Sequence, residues 1–186
     1  MIPTNIPAIR RGIEWYGHRF PEEEAVVLRF LALLKEGEWA FNRERAEGHV
    51  TASAWVVDPS LSKTVLIHHR KLGKWLQPGG HADGDTNLLR VAQKEVLEET
   101  GLDACLPEGL GIYDLDIHPI PARVGLPEHE HFDVRLLLRA SSADLPRANE
   151  EVHEVRWVHV TEIEKITKET SILRMKRKQE SLDYLD

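Results

Sequence analysis

Hydrophobic positions alternate along several stretches of this chain and recur at helical spacing in two others. In residues 131–140, Phe132, Val134, Leu136 and Leu138 fall on one face, the period-two pattern of a half-buried strand. Residues 49–58 and 63–70 are rich in small and β-branched side chains. With Asp58-Pro59-Ser60 between them they read as a hairpin. One or two further strands are expected in residues 102–118 and another in 152–160, with a polar loop over 141–149 and a helical tail at the end. Leu88, Leu89, Ala92 and Val96 make the apolar stripe of a helix over 86–100. Asp85 or Thr86 can cap it, and Gly101 lies just past its end. A second helix starts at Pro21-Glu22-Glu23-Glu24, carries Val27, Leu28, Leu31 and Leu34 inward, and stops at Gly37. Residues 1–20 show no clear period and read as an irregular arm, and the glycine-rich stretch 72–82 reads as a loop. Strands and helices mix without a regular βαβ count, so the expected class is α+β, a mixed sheet between helices.

Composition narrows the possibilities. The chain has 186 residues, 41% of them hydrophobic, which suffices for the core of one domain with a terminal extension. Asp and Glu outnumber Lys and Arg, 31 to 24, for a net charge of −7. That balance argues against nonspecific nucleic-acid binding, which needs many cations to displace counterions. If a substrate carries phosphates, a local cation must offset the repulsion. Cys105 is the one cysteine, so no internal disulfide forms, which fits a reducing compartment. The longest apolar run, residues 25–34, is broken by Arg29 and too short to span a bilayer, and no signal-peptide pattern opens the chain. A soluble, cytoplasmic protein with no membrane partner is the expectation.

The candidate chemistry sits on the 86–100 helix. Glu95, Glu98 and Glu99 occupy positions i, i+3 and i+4, which share one arc of a helix. Such a patch is either a solvated acidic face or a site for a hard divalent cation. Trp75-Leu76-Gln77-Pro78-Gly79-Gly80 leads into it, and paired glycines permit close approach of a ligand to the backbone. Glycine loop, carboxylates and cation would then surround one spot.

These residues resemble the Nudix box: Gly, five residues, Glu, seven residues, then Arg-Glu-apolar-any-Glu-Glu-any-Gly-apolar. Gly80 and the run Lys94-Glu95-Val96-Leu97-Glu98-Glu99-Thr100-Gly101-Leu102 fit that spacing without a gap. Thr86 replaces the box glutamate and Lys94 the box arginine. A Thr–Lys pair cannot form the family's ion pair, and Asp85 and Asp83 are the nearby carboxylates able to substitute. The resemblance implies a Nudix-type α/β/α sandwich with a mixed sheet over residues 48–186. Residues 1–47 form an N-terminal arm and accessory helix outside it, with an amphipathic face able to mediate a homodimer. It also implies a metal-dependent hydrolase that cleaves a pyrophosphate linkage in a nucleoside diphosphate joined to another moiety. Glu95, Glu98 and Glu99 would be catalytic and would hold Mg²⁺ or Mn²⁺. Gly79, Gly80 and Arg70 would meet the substrate. The general base would be a box glutamate or a later-loop acid, Glu150 or Glu151. A Nudix-fold binding or regulatory module with weak or no catalysis is the alternative that Thr86 and Lys94 motivate.

The histidines add a second expectation. His129, His131 and Asp133 alternate onto the strand face opposite Phe132 and Val134, His81 follows Gly80, and His49 opens the first strand. Imidazoles with a carboxylate suit a transition ion. More distantly, this arrangement resembles the metal site of isopentenyl-diphosphate isomerase, although Gly79 stands where the isomerase has its cysteine. His49, His81, His131 and Asp133 are therefore expected to line the cleft as a second metal site. Trp39, Phe41 and Trp75 could stack on a base or ring, but core or interface packing is the commoner use of such side chains, and none is given a role. Arg174, Lys176, Arg177 and Lys178, diluted by Glu169, Glu180, Asp183 and Asp186, are expected to form a solvated helix face.

Overall fold

The centre of the computed structural model, which describes residues 2–181, is a parallel pair of strands. Met1 and the tail with Asp183 and Asp186 lie outside the described residues. β1 (Gly48–Val57) runs alongside β7 (His129–Ala140), with His49 opposite His131 and Ser53 opposite Arg135. β2 (Lys63–His69) leaves β1 through the expected hairpin and pairs with β3 (Lys74–Leu76) and β8 (Val152–His159). β4 (Gly79–His81) pairs with β1. On the other side of β7 lie β5 (Ala104–Cys105) and β6 (Ile112–Ile120). Together they make one mixed eight-stranded sheet. The stretch expected as a loop over 72–82 thus contains two short strands, because β1 and β2 offer free edges that local pattern does not reveal.

Alternation sends the two sides of each central strand into different cores. Val50, Ala52, Ala54, Val56, Phe132, Val134 and Leu136 pack with α1 (Ile6–Arg19), α2 (Glu24–Leu33) and α3 (Leu88–Thr100). Trp55, Val57 and Leu137 pack on the opposite face with Ile163 of α4 (Ile163–Ile166) and Ile172 and Met175 of α5 (Thr170–Glu180). Helices therefore cover both faces of the sheet, the expected α+β sandwich.

The N-terminal arm departs from expectation. Residues 6–19 are helical, with Ile9, Ile13 and Tyr16 fully buried at i, i+4 and i+7. Asn5 caps the helix by accepting from the Ala8 amide at 3.0 Å, and Pro7 sits in the first turn, where no amide donor is required. The proline thus marks a start rather than a break. α2 is rotated from its expected phase: Val27, Phe30, Leu33 and Leu34 face inward, and Leu28 is 58% exposed. Gly37, at φ 67°, kinks the segment, which continues as a 3₁₀ helix to Phe41. α3 is capped by Asn87, not by Asp85 or Thr86: its Oδ1 accepts from the Arg90 amide at 3.1 Å. Gly101 takes the left-handed conformation that ends the helix, as expected.

A buried charge cluster joins the two ends of the chain to the sheet. Arg135 donates to Asp133 at 2.8 Å, to Asp114 at 3.1 Å and to Asp116 at 3.0 Å. Arg174 and Lys178 of α5 reach Asp114 at 2.7 and 2.6 Å, and Lys178 also meets Glu23 at 2.8 Å and the Tyr16 hydroxyl. Arg174 and Lys178 are therefore not part of a solvated face, because α5 turns them toward the buried Asp114. Lys176 pairs with Glu164 and Glu180, and Arg177 is exposed. Among the described residues, no helix is long and apolar enough to cross a membrane.

Candidate functional site

α3 carries Glu95, Glu98 and Glu99 on one arc, with Glu95 and Glu99 against β4, and gives them three environments. The Glu98 side chain is half exposed, 3.1 Å from the Lys94 ammonium. Glu95 is more enclosed, with Lys94 at 3.7 Å, and burial pushes its carboxyl above the ordinary carboxylate range against the pull of Lys94. Glu99 is buried and accepts from the Gly79 amide at 2.9 Å. Burial pushes it up to about 8; the Gly79 hydrogen bond opposes that rise, and the charges of Glu95, Glu151 and Glu98 add to it. Among the described residues, Lys94 is the only cation in ion-pair contact with the three.

The glycines explain how β4 fits here. A Cβ on Gly80 would lie 2.6 Å from the Glu95 carboxyl carbon, and one on Gly79 would lie 2.2 Å from the Ser53 Cβ. Their small size therefore lets β4 lie close against α3 and β1, the tight backbone that paired glycines allow. The Gly79 amide is already occupied by Glu99. Arg70, just past the end of β2, is exposed, with its guanidinium 3.5 Å from the Val152 carbonyl oxygen of β8.

Neither nearby carboxylate takes the place opposite Lys94. Asp85 holds Arg90 through two contacts of 2.8 Å, and Asp83 holds Arg43. Lys94 instead leans along its own helix to Glu98, an i,i+4 pairing that needs no tertiary partner. Of the two later-loop acids, Glu151 is placed so that its charge raises both Glu95 and Glu99, while the Arg70 amide donates to its carbonyl at 3.1 Å. Glu150 is exposed. Trp39 is 47% exposed, Phe41 is buried in the core, and Trp75 lies under the Arg156 guanidinium at 4.4 Å.

The histidines gather on the other face of the sheet from α3. His49 and His131 are register partners with rings 5.1 Å apart. His81 lies 5.1 Å from His49 and 4.9 Å from His131, and His129 lies 5.2 and 5.3 Å from the same two. Burial, and then the neighbouring His81, lowers His49 to about 4, and the same causes lower His131 further, so both are neutral at physiological pH. Asp133 does not join them. It accepts from Thr51 at 3.0 Å, Ser53 at 2.8 Å and Arg135 at 2.8 Å, with Gln77 at 3.3 Å, because the strand carries it one pleat repeat toward the buried charge cluster. His129 stands in its place. Potential ligand atoms of His49, His129 and His131 all lie within 4.8 Å of one another. The alternation of residues 129 and 131 carried the signal for His129, but sequence does not say where the strand begins. Carboxylates and imidazoles thus form two separate groups on either side of β4 rather than one lined cleft.

Comparison with known proteins gives a consistent picture. The model of the NUDIX domain matches residues 47–178. The m7GpppN-mRNA hydrolase NUDT17 of Danio rerio is 36% identical over 75 residues, 38% of this chain and 25% of that protein. A Bacillus subtilis protein named "Putative 8-oxo-dGTP diphosphatase" is 36% identical over 64 residues, 34% of this chain and 43% of that protein. The matched segments thus span less than half the length of these relatives. A NUDIX-family hydrolase from Clostridium perfringens superposes with a TM-score of 0.53 at 22% identity, covering 73% of this chain and 98% of that one. A MutT protein from Methanosarcina mazei Go1 also gives 0.53, at 15% identity, covering 75% and 99%. Both likenesses establish the fold.

Proposed function

Since the chain belongs to the Nudix family, we propose that it is a divalent-metal-dependent hydrolase of a pyrophosphate linkage in a nucleoside diphosphate joined to another moiety. The observation that supports this reading is that Glu95 and Glu99 lie against β4 while Glu98 stands exposed on the same arc of α3, with Glu99 buried and only Lys94 paired to the group among the described residues. Three carboxylates so placed fit a hard divalent ion, Mg²⁺ or Mn²⁺, whose preferred ligands are oxygens. When bound, such an ion neutralises diphosphate charge and lowers the pKa of a water.

The chain's own residues supply the rest. The Gly79 amide orients the Glu99 carboxylate, and the absent side chain of Gly80 leaves Glu95 its position. Lys94 balances the charge of Glu98, whose oxygen would be among those that hold the ion. Glu151, at the start of β8, is the later-loop carboxylate that shares the field of Glu95 and Glu99 and can accept a water proton. Arg70, exposed on the same side, offers positive charge to a phosphate.

The test is phosphate or nucleotide release from nucleoside diphosphate sugars, dinucleotides, nucleoside triphosphates and capped RNA, with Mg²⁺ or Mn²⁺. The last two classes are included because relatives of the chain are named as an mRNA cap hydrolase and a putative 8-oxo-dGTP diphosphatase. Turnover should disappear with EDTA, and Glu98→Gln should lower kcat by ~10²-fold or more, the scale on which such groups contribute. Full activity in that variant refutes the assignment. A second reading rests on the pairing of Lys94 with Glu98 rather than with a residue at position 86: a module that binds such a ligand without cleaving it. Tight binding with no turnover under every metal tried would favour it.

A further inference from the structure

On the sheet face away from α3, the histidine cluster leaves three buried ring nitrogens without hydrogen-bond partners: both of His49 and Nε2 of His131. Buried polar atoms are ordinarily satisfied, because an unmatched one has given up its hydrogen bonds to water with nothing in return. His49 is 2% exposed, and neighbouring imidazoles surround it. We propose that His49, His129 and His131, with His81 as fourth donor, form a nitrogen site for a first-row transition ion of the zinc class, separate from the carboxylate site on α3.

The donor set decides the class of ion. Asp133 is held by Arg135, Thr51 and Ser53, and Asp83, whose charge reaches His81, is paired with Arg43, so the donors left to the site are imidazole nitrogens. Hard ions such as Mg²⁺ find nothing there, whereas Zn²⁺ and its neighbours bind imidazole well in four-coordinate sites. The donor atoms of three rings already lie within 4.8 Å of one another. Their spacing is set by sheet register, with His49 opposite His131, and not by mobile loops.

A supporting group orients one of the rings, His129, as a metal ligand requires. The Nδ1 of His129 lies 2.9 Å from the Pro127 carbonyl oxygen, so Nδ1 carries the proton and donates, leaving the Nε2 lone pair free. A carbonyl or carboxylate behind the ring is the usual partner of a metal-bound histidine. His118, whose ring is 5.5 Å from His131, is held in the same manner by Asp116 at 3.0 Å and stands just outside the set. His81 adds a consequence. It directly follows Gly79 and Gly80, so an ion bound to it ties β4 to β1 and β7 from the face opposite the glutamates.

The test uses the full chain, stripped with chelator and desalted, then titrated with Co²⁺ and with Zn²⁺. Wild type should take up one equivalent that survives desalting. The Co²⁺ form should show the intense visible absorption of a four-coordinate nitrogen site. Glu98→Gln should keep both properties while losing hydrolysis. His131→Gln should lose both, along with the rise in Tm that Zn²⁺ gives the wild type. Should His131→Gln fail to fold, the wild-type Co²⁺ spectrum and His81→Gln decide. A faint six-coordinate spectrum, no retained ion in wild type, or retention abolished by Glu98→Gln but indifferent to the histidines would each overturn the proposal. The last pattern would leave the carboxylate assignment intact.

Discussion

Gly79 and Gly80 are neighbours with different obligations. A methyl group on Gly80 meets the end of the Glu95 side chain, which can swing away; a methyl on Gly79 meets the Cβ and Cα of Ser53, which cannot. Gly80→Ala should therefore leave Tm nearly unchanged yet reduce activity at least ~10-fold by displacing Glu95 from the carboxylate set proposed to hold the metal, the order of loss expected when ligand orientation is disturbed. Gly79→Ala should destabilise the fold by about 1–3 kcal/mol, as overpacking does. Thermal melts beside initial rates for the two variants separate the roles, and equal effects on both readouts would contradict the distinction. Both glycines were legible as special in the sequence. Which neighbour each one admits was not, because Ser53 and Glu95 reach them from other elements.

Among the elements, α1 shows how a local reading fails. Pro7, Gly12 and Gly17 look like breakers, yet Pro7 lies in the first turn and Gly17 faces Val27, with a Cβ there meeting it at 3.2 Å. Ile9 and Ile13 are buried in the same core as Phe132 and Val134 of β7, so the N-terminal segment completes the main core. Ile13→Ala should cost about 2–5 kcal/mol, the range for emptying a buried aliphatic site. Denaturant unfolding should show it as a lower midpoint of one cooperative transition. A separate early transition, with the midpoint of the remaining domain unchanged, would mean that α1 is only an appendage. In contrast, α3 was readable almost to the residue, because its cap, stripe and terminal glycine are all local signals. Its capping residue was misplaced by only one or two positions, since Asp85, Thr86 and Asn87 are all competent caps.

For the molecule as a whole, the buried cluster around Asp114 links α1, α5, β6 and β7. Burial alone would raise the Asp114 carboxyl, but Arg174, Arg135 and Lys178 together hold it below the ordinary aspartate value. A carboxyl depressed in the folded state adds stability that is complete above its unfolded pKa, 3.8 on the ordinary scale, and is lost as pH falls toward the folded value. Stability should therefore fall as the medium is acidified below about pH 4. Asp114→Asn should cost roughly 3–5 kcal/mol at neutral pH, because it leaves buried cations unmatched, and should flatten part of the acid slope. Urea midpoints across that range, for wild type and variant, measure both effects; a variant with the wild-type slope would remove Asp114 as the cause.

The sequence by itself determined the carboxylate helix, the glycine pair before it, the α+β class and the family they indicate. Each depends on spacing within a single helix or turn, where geometry repeats every few residues. Only the tertiary structure decided that His49 meets His131, that His129 replaces Asp133 among the imidazoles, and that carboxylates and imidazoles occupy opposite faces around β4. Those outcomes follow from the parallel register of β1 on β7 and from the position of Arg135. Register between strands some eighty residues apart is set by how two whole faces pack, and no short window of the chain contains it.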